Sequence, residues 1–261
     1  MQDLNITLIQ TSLQWESPEK NLAQFDQLLH TISVETDIIV LPEMFTTGFT
    51  MNPGKLAEEP GGLGLRWMQK TASGKNCVVT GSIAVRENHK FYNRLYWVTP
   101  KGDFQYYDKR HLFRMGSEHE HYSAGTEKLI VDYKGWKICP LVCYDLRFPV
   151  WSRNEHAKPY DVLLYVANWP EARNYPWKQL LIARAIENQS YVAGVNRVGE
   201  DGNGKSHSGD SCILNARGEI LCSFAPHEKG VKSFSLNYNE LQTFRSEFPV
   251  LLDGDSFTIL T

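Results

Sequence analysis

Apolar and polar residues follow one another along this chain in blocks that alternate between strand-like and helix-like periods. Leu4 to Ile9 reads as a first strand. Ser17-Pro18-Glu19-Lys20 then offers a capping serine with proline at the first helical position. Leu22, Phe25, Leu28, Leu29 and Ile32 follow at helical spacing, which predicts a helix that buries one stripe. Asp37 to Leu41 is a short apolar strand stopped by Pro42. Leu63 to Lys70 predicts a second helix, and Val78-Val79-Thr80 and Phe91 to Val98 predict strands. Pro100-Lys101-Gly102-Asp103 is turn chemistry and predicts a hairpin into Phe104 to Tyr107. Lys134-Gly135 predicts another, joining Leu129-Ile130-Val131 to Trp136 to Val142.

Asp161 to Val166 reads as a buried strand. Trp177 to Gln189 is a helix with apolar residues on most sides (Leu180, Leu181, Ile182, Ala185, Ile186), so it is expected between two layers. Tyr191 to Val195 and Ser211 to Leu214 are late strands. From Asn237 the tail is rich in Leu and Phe (Leu241, Phe244, Phe248, Leu251, Leu252) and is expected to pack on the body or a neighbour. No repeat, low-complexity tract or long linker divides the chain, so a single domain over 1–261 is expected. Mixed strands and helices with several hairpins predict a layered α/β sandwich instead of a purely parallel sheet.

Composition narrows the function. The 261 residues carry 27 Lys+Arg against 30 Asp+Glu, a net charge of −3, which argues against a nucleic-acid or anionic-membrane partner. No segment approaches the apolar length of a membrane span, and Met1-Gln2-Asp3-Leu4-Asn5 has no basic or apolar signal character. Five cysteines without framework spacing point to free thiols and a reducing cytoplasm.

Three places carry candidate chemistry. Leu141-Val142-Cys143-Tyr144-Asp145 delivers a cysteine at the carboxyl end of a strand, where open α/β sheets place their sites. Ile38 to Glu43 delivers a carboxylate in the same way, and Tyr106 to Arg110 delivers Lys109. Singly, each is more often a buried small side chain or a solvated charge. Together they are complementary: a carboxylate can deprotonate a thiol, and an ammonium can hold an oxyanion. Cys77, Cys139, Cys212 and Cys222 lie in apolar strand-like sequence and read as structural.

Other motifs compete. Gly199 to Ser206 matches the phosphate-loop pattern, but strand-like sequence follows Lys205 where a helix should start, so a glycine-rich loop is expected. His111, His119 and His121 with Glu118 and Glu120 read as a polar loop and not a metal site. Asp145 and Arg147 suggest a local ion pair. Trp169, just after a strand end, is a candidate pocket wall, and Arg173 a candidate partner for a substrate carboxylate.

Leu41-Pro42-Glu43, Asp108-Lys109-Arg110-His111-Leu112 and Cys143-Tyr144-Asp145-Leu146-Arg147-Phe148 resemble the three signatures of the nitrilase, or carbon–nitrogen hydrolase, superfamily. Arg184 to Gln189 and Tyr191-Val192-Ala193 support the resemblance, which runs from about Ile6 to Phe234. It implies a four-layer α-β-β-α sandwich, a homodimer formed by stacking helical layers, and a Glu43-Lys109-Cys143 triad. The Trp177 to Gln189 helix and Val150-Trp151 would suit that buried contact. The resemblance further implies a second glutamate, Glu118 with Glu120 as the alternative, and chemistry that needs no metal or organic cofactor. The oxyanion would rest on Lys109 and the backbone N–H of Tyr144.

Ala167-Asn168-Trp169-Pro170 and the wording of the other motifs are similar to bacterial omega-amidases. This implies a cytoplasmic enzyme releasing ammonia from a small dicarboxylate monoamide, 2-oxoglutaramate or 2-oxosuccinamate. Deaminated glutathione or N-carbamoyl substrates stay open, as does a non-catalytic binding role.

Overall fold

The computed structural model describes residues 2–259. β1 (Leu4–Gln10), β2 (Ile38–Val40) and β3 (Val78–Glu87) run parallel, linked through α1 (Pro18–His30), the short α2 (Pro53–Leu56) and α3 (Leu63–Lys75). Hairpins then add β4 (Lys90–Val98) and β5 (Phe104–Asp108), followed by the short α4 (Glu118–His121). A second sheet starts with the hairpin of β6 (Val131–Tyr133) and β7 (Trp136–Val142). After α5 (Pro149–Ser152), β8 (Val162–Ala167) joins parallel to β7, and after α6 (Asn174–Asn188), β9 (Tyr191–Asn196) joins parallel to β8.

The ribbon of β10 (Val198–Glu200) and β11 (Ser206–Ser208) stands apart, while β12 (Cys212–Leu214) and β13 (Ile220–Ser223) extend the second sheet. β14 (Gly230–Leu236) crosses back to pair with β1, and α7 (Tyr238–Glu247) follows. The strand orders are β14-β1-β2-β3-β4-β5 and β13-β12-β9-β8-β7-β6.

The continuous apolar run at β2 has a physical cause: both faces of its sheet are covered. Ile38 and Val40 join the core shared with the second sheet and α6, while Ile39 points the other way, into a cluster with Phe25 and Leu29 of α1 and Met68 of α3. Trp177, Leu181 and Ala185 of α6 close the far side of the second sheet. The layers are therefore helix, sheet, sheet, helix, the α/β sandwich the resemblance implies.

The boundaries differ in places. α3 runs on to Lys75, past the expected Lys70, and stops where Asn76 takes a left-handed conformation. α6 starts at Asn174 instead of Trp177, because Pro176 lies in its first turn, where proline is tolerated. It is also not sandwiched: Ile186 is 52% exposed, so this helix is an outer layer with one covered face. Ser17 sits at the N-cap of α1, yet its side chain makes no capping bond. β3 extends to Glu87 and turns through Asn88 and His89, both at positive φ, into β4. That hairpin is absent from the sequence reading because Asn-His lacks the usual glycine. Lys134 and Gly135 do form the expected tight turn, at φ 51° and 86°.

Trp151 is inside the protein, donating from Nε1 to the Tyr107 hydroxyl at 2.9 Å, so only Val150 of that pair faces outward. The tail packs on the body as expected through Leu241, although Phe248 and Leu252 remain exposed. Arg245 is its main polar tie. It donates to the carbonyls of Gln189 (2.8 Å) and Tyr160 (2.6 Å) and to Asp161 Oδ1 (2.7 Å). Arg245→Ala leaves the mostly buried Asp161 without its cation and is expected to cost about 2–4 kcal/mol. Urea unfolding checks this; an unchanged midpoint would mean that the tail is not integral to the fold.

Candidate active site

Glu43, Lys109 and Cys143 each lie just beyond the carboxyl end of a strand, after β2, β5 and β7 respectively. The face-to-face sheets bring these ends together. Lys109 Nζ donates to Glu43 Oε1 at 2.9 Å and to Glu118 Oε1 and Oε2 at 3.1 and 2.8 Å. All three side chains are fully buried. Glu118 opens α4 and accepts a further bond from the Phe113 backbone N–H at 2.6 Å. Glu120, the alternative glutamate, is exposed and points toward Ser117 and His119.

Cys143 has φ 44°, a left-handed conformation that costs a non-glycine residue roughly 1–3 kcal/mol. The turn that holds it is anchored by buried Asp145. Its carboxylate accepts from the Val142 N–H (3.0 Å), the Tyr107 hydroxyl (2.8 Å) and the His111 N–H (2.9 Å), and His111 Nδ1 lies at 2.8 Å. Asp145 therefore ties the lysine segment to the cysteine segment. It is not paired with Arg147, as the sequence suggested. Arg147 instead lies over the Trp169 ring, 4.9 Å from its centroid. His111 is thereby committed to Asp145 and to a stack on Phe148 at 3.7 Å, away from His119 and His121.

The electrostatics follow from burial and pairing. Burial disfavours the Lys109 ammonium, but Glu118 and Glu43 outweigh it and hold its pKa above the ordinary lysine value. Burial pushes the Cys143 thiol well above its usual range, and the Glu43 carboxylate within hydrogen-bonding reach adds to this; Lys109 pulls the other way. Burial likewise raises Glu118, against the pull of Lys109. The resting site thus holds a thiol beside a carboxylate, with a cation fixed between two acids. Such a set can transfer the thiol proton at the moment of attack and receive an oxyanion.

A cavity of about 60 Å³ opens onto Cys143 and is walled by Tyr144, Asn168, Trp169 and Arg173 among others. Trp169 is held by its backbone N–H to Asn196 Oδ1 (2.8 Å) and its Nε1 to the Arg173 carbonyl (2.7 Å). The phosphate-loop-like segment is the β10–β11 hairpin, and Asp201, Asn203 and Lys205 on it reach the same cavity.

A sequence model of the family described as carbon–nitrogen hydrolase matches residues 5–246. The chain belongs to the carbon–nitrogen hydrolase family. It is 48% identical over 260 residues to the omega-amidase YafV of Yersinia enterocolitica, covering 100% of both chains. It is 36% identical to the 2-oxoglutaramate amidase of Bacillus subtilis, over 95% of this chain and 96% of that one. A CN-hydrolase superfamily protein of Xanthomonas campestris, solved with an arsenic adduct in its active site, superposes with a TM-score of 0.96. That structure is 44% identical and covers 99% of this hydrolase and 100% of its own chain.

Two site residues escaped the sequence reading. Asn93 Nδ2 donates to Glu43 Oε1 (2.8 Å) and Glu118 Oε1 (3.1 Å), and the Asn168 backbone N–H donates to Glu43 Oε2 at 2.8 Å. Asn93 sits mid-strand in β4 on the face it shares with Phe91 and Leu95, and a lone asparagine between those two apolar positions was the available signal. In the hydrolase, Glu43→Gln removes a negative charge that raises the thiol pKa. The pH midpoint of Cys143 alkylation by iodoacetamide is therefore expected to move down, even as turnover is lost. A midpoint that stays or rises would contradict the proposed influence of Glu43.

Proposed function

We propose that this carbon–nitrogen hydrolase is an omega-amidase that releases ammonia from a small 2-oxo dicarboxylate monoamide such as 2-oxoglutaramate. The observation that carries the reading is the buried Lys109 bridge between Glu43 and Glu118 beside Cys143, in a chain 48% identical over its whole length to an omega-amidase. The similarity to a 2-oxoglutaramate amidase supports the substrate. Deaminated glutathione, N-carbamoyl compounds and a silent binding role have no comparable support.

Glu43 takes the thiol proton as Cys143 Sγ attacks the amide carbon. Lys109 and the Tyr144 backbone N–H stabilise the oxyanion, each donor contributing about 3–4 kcal/mol. Glu43 returns the proton to the amide nitrogen, the C–N bond breaks, and ammonia leaves a thioester on Cys143. Water, deprotonated by Glu43, attacks that carbon; the C–S bond then breaks, the sulfur recovers a proton, and the acid departs. Glu118 keeps Lys109 in place, Trp169 walls the pocket, and Arg173 adds positive charge to its lining.

Free thiols at all five cysteines support a reducing, cytoplasmic setting. No helix among the described residues is long and apolar enough to cross a membrane. Exposed Tyr175 and Ile186 on α6, with exposed Val150 on α5, support pairing of two copies through the helical layer.

Cys143→Ala is expected to lower ammonia release from 2-oxoglutaramate by at least about 10⁴-fold without unfolding the chain. Hydroxylamine added to the wild-type enzyme should divert the thioester to a hydroxamate. Full activity in the alanine variant, or no hydroxamate and no acylated Cys143 peptide, would refute the covalent route.

A further inference from the structure

The cavity beside Cys143 carries positive charge that its own acids do not neutralise, although the chain as a whole is net negative. Arg147, Arg173 and Lys205 line it, with Asp201 as the lining carboxylate. Asp201 Oδ1 is occupied by the hairpin turn, accepting from the backbone N–H groups of Asn203 (2.8 Å) and Lys205 (3.0 Å). Among the described residues, none of the three cations forms an ion pair. His207 also borders the cavity; burial holds its pKa at about 4, so it is neutral near pH 7. Behind the hairpin, the fully buried Arg197 donates to the carbonyls of Val198, Glu200 and Leu13 and, among the described residues, makes no salt bridge.

The three lining cations are not equivalent. Arg173 lies 5.3 Å from the Phe113 ring centroid and beside the Met115 sulfur at 3.9 Å. Arg173 and Lys205 also border a separate outer groove, which Arg147 does not reach. Arg147 belongs to the inner end, on the same short turn as Cys143. Its guanidinium lies against Trp169, whose ring is fixed by the two hydrogen bonds described above, and it makes no side-chain hydrogen bond among the described residues. An arginine oriented by an aromatic face, with its donor edge free, is suited to bidentate capture of a carboxylate.

We infer that Arg147 reads the carboxylate at the far end of the substrate, with Lys205 adding charge at the mouth, so that the enzyme selects short amides ending in an anion. This rests on the amidase reading and deepens it by assigning specificity to a residue on the nucleophile's own turn. Four residues of a 3-10 turn span about 8 Å. Both residues line one cavity, so a short acyl chain carried on the sulfur can direct its terminal carboxylate toward Arg147. A neutral end would leave the guanidinium partly desolvated without an acceptor, which is how polar subsites discriminate.

The test has two arms. In the first, kcat/KM is measured for glutaramate, which ends in a carboxylate, and for pentanamide, its uncharged counterpart of equal length. Wild-type enzyme is expected to favour glutaramate by about 100-fold or more; Arg147→Met should narrow that ratio at least about 10-fold, and Arg147→Lys should retain part of it. Equal losses on both amides, or a ratio that narrows in Arg173→Met and not in Arg147→Met, would overturn the assignment.

In the second arm, calorimetry follows glutarate binding to the Cys143→Ala protein, with and without Arg147→Met or Arg147→Lys. At least about 10-fold weaker binding in the methionine variant supports the inference, and unchanged affinity overturns it. This arm needs no turnover, so failure of wild-type enzyme to hydrolyse either amide would count against the amidase reading alone.

Discussion

Lys109, fully buried between Glu43 and Glu118, is the interaction on which the rest of the site depends. An ammonium in such a place is tolerated only because two carboxylates meet it, and each carboxylate is tolerated only because it has further donors. Asn93 serves both acids, the Asn168 N–H serves Glu43, and the Phe113 N–H serves Glu118. Removing any one member would strand a charge in the interior. The cluster therefore specifies the geometry of three distant chain segments at once. It also holds Glu43 beside a thiol that burial keeps protonated.

Another buried carboxylate performs the matching task for the nucleophile. Asp145 binds backbone and side-chain donors from both the lysine segment and the cysteine segment, and Trp151 supports it through Tyr107. This network holds Cys143 in a backbone conformation that a cysteine does not favour. The strain is local, and the support comes from both sheets. Stability and chemistry are thus coupled through the same polar interior, a pattern in which buried networks are sensitive at every member.

The sandwich explains why the elements were mostly legible. β2, covered on both faces, is continuously apolar, and α1 shows one buried stripe because only one face meets the sheet. α6 is a related case. Its apolar residues exceed what its own sheet covers, so composition suggested two neighbouring layers where one layer and an exposed face are found. The hairpin through Asn88 and His89 was missed because tertiary pairing of β3 with β4 imposes positive φ on residues that do not advertise it.

Local order along the chain was enough to determine the strands that carry Glu43, Lys109 and Cys143, the turns at Gly102 and Gly135, and the absence of a helix after Lys205. These features depend on near neighbours, and near neighbours are what a linear pattern records. Only the folded chain decided that Glu118 turns inward while Glu120 does not, that Asp145 meets His111 and Tyr107 instead of Arg147, and that Arg147 is left to face the cavity. For Asp145 and Arg147 the partners lie tens of residues away, brought close by packing two sheets, while Glu118 is set by the way its own loop folds back on Lys109 and Phe113. No spacing within a single segment encodes which donor reaches a buried carboxylate first.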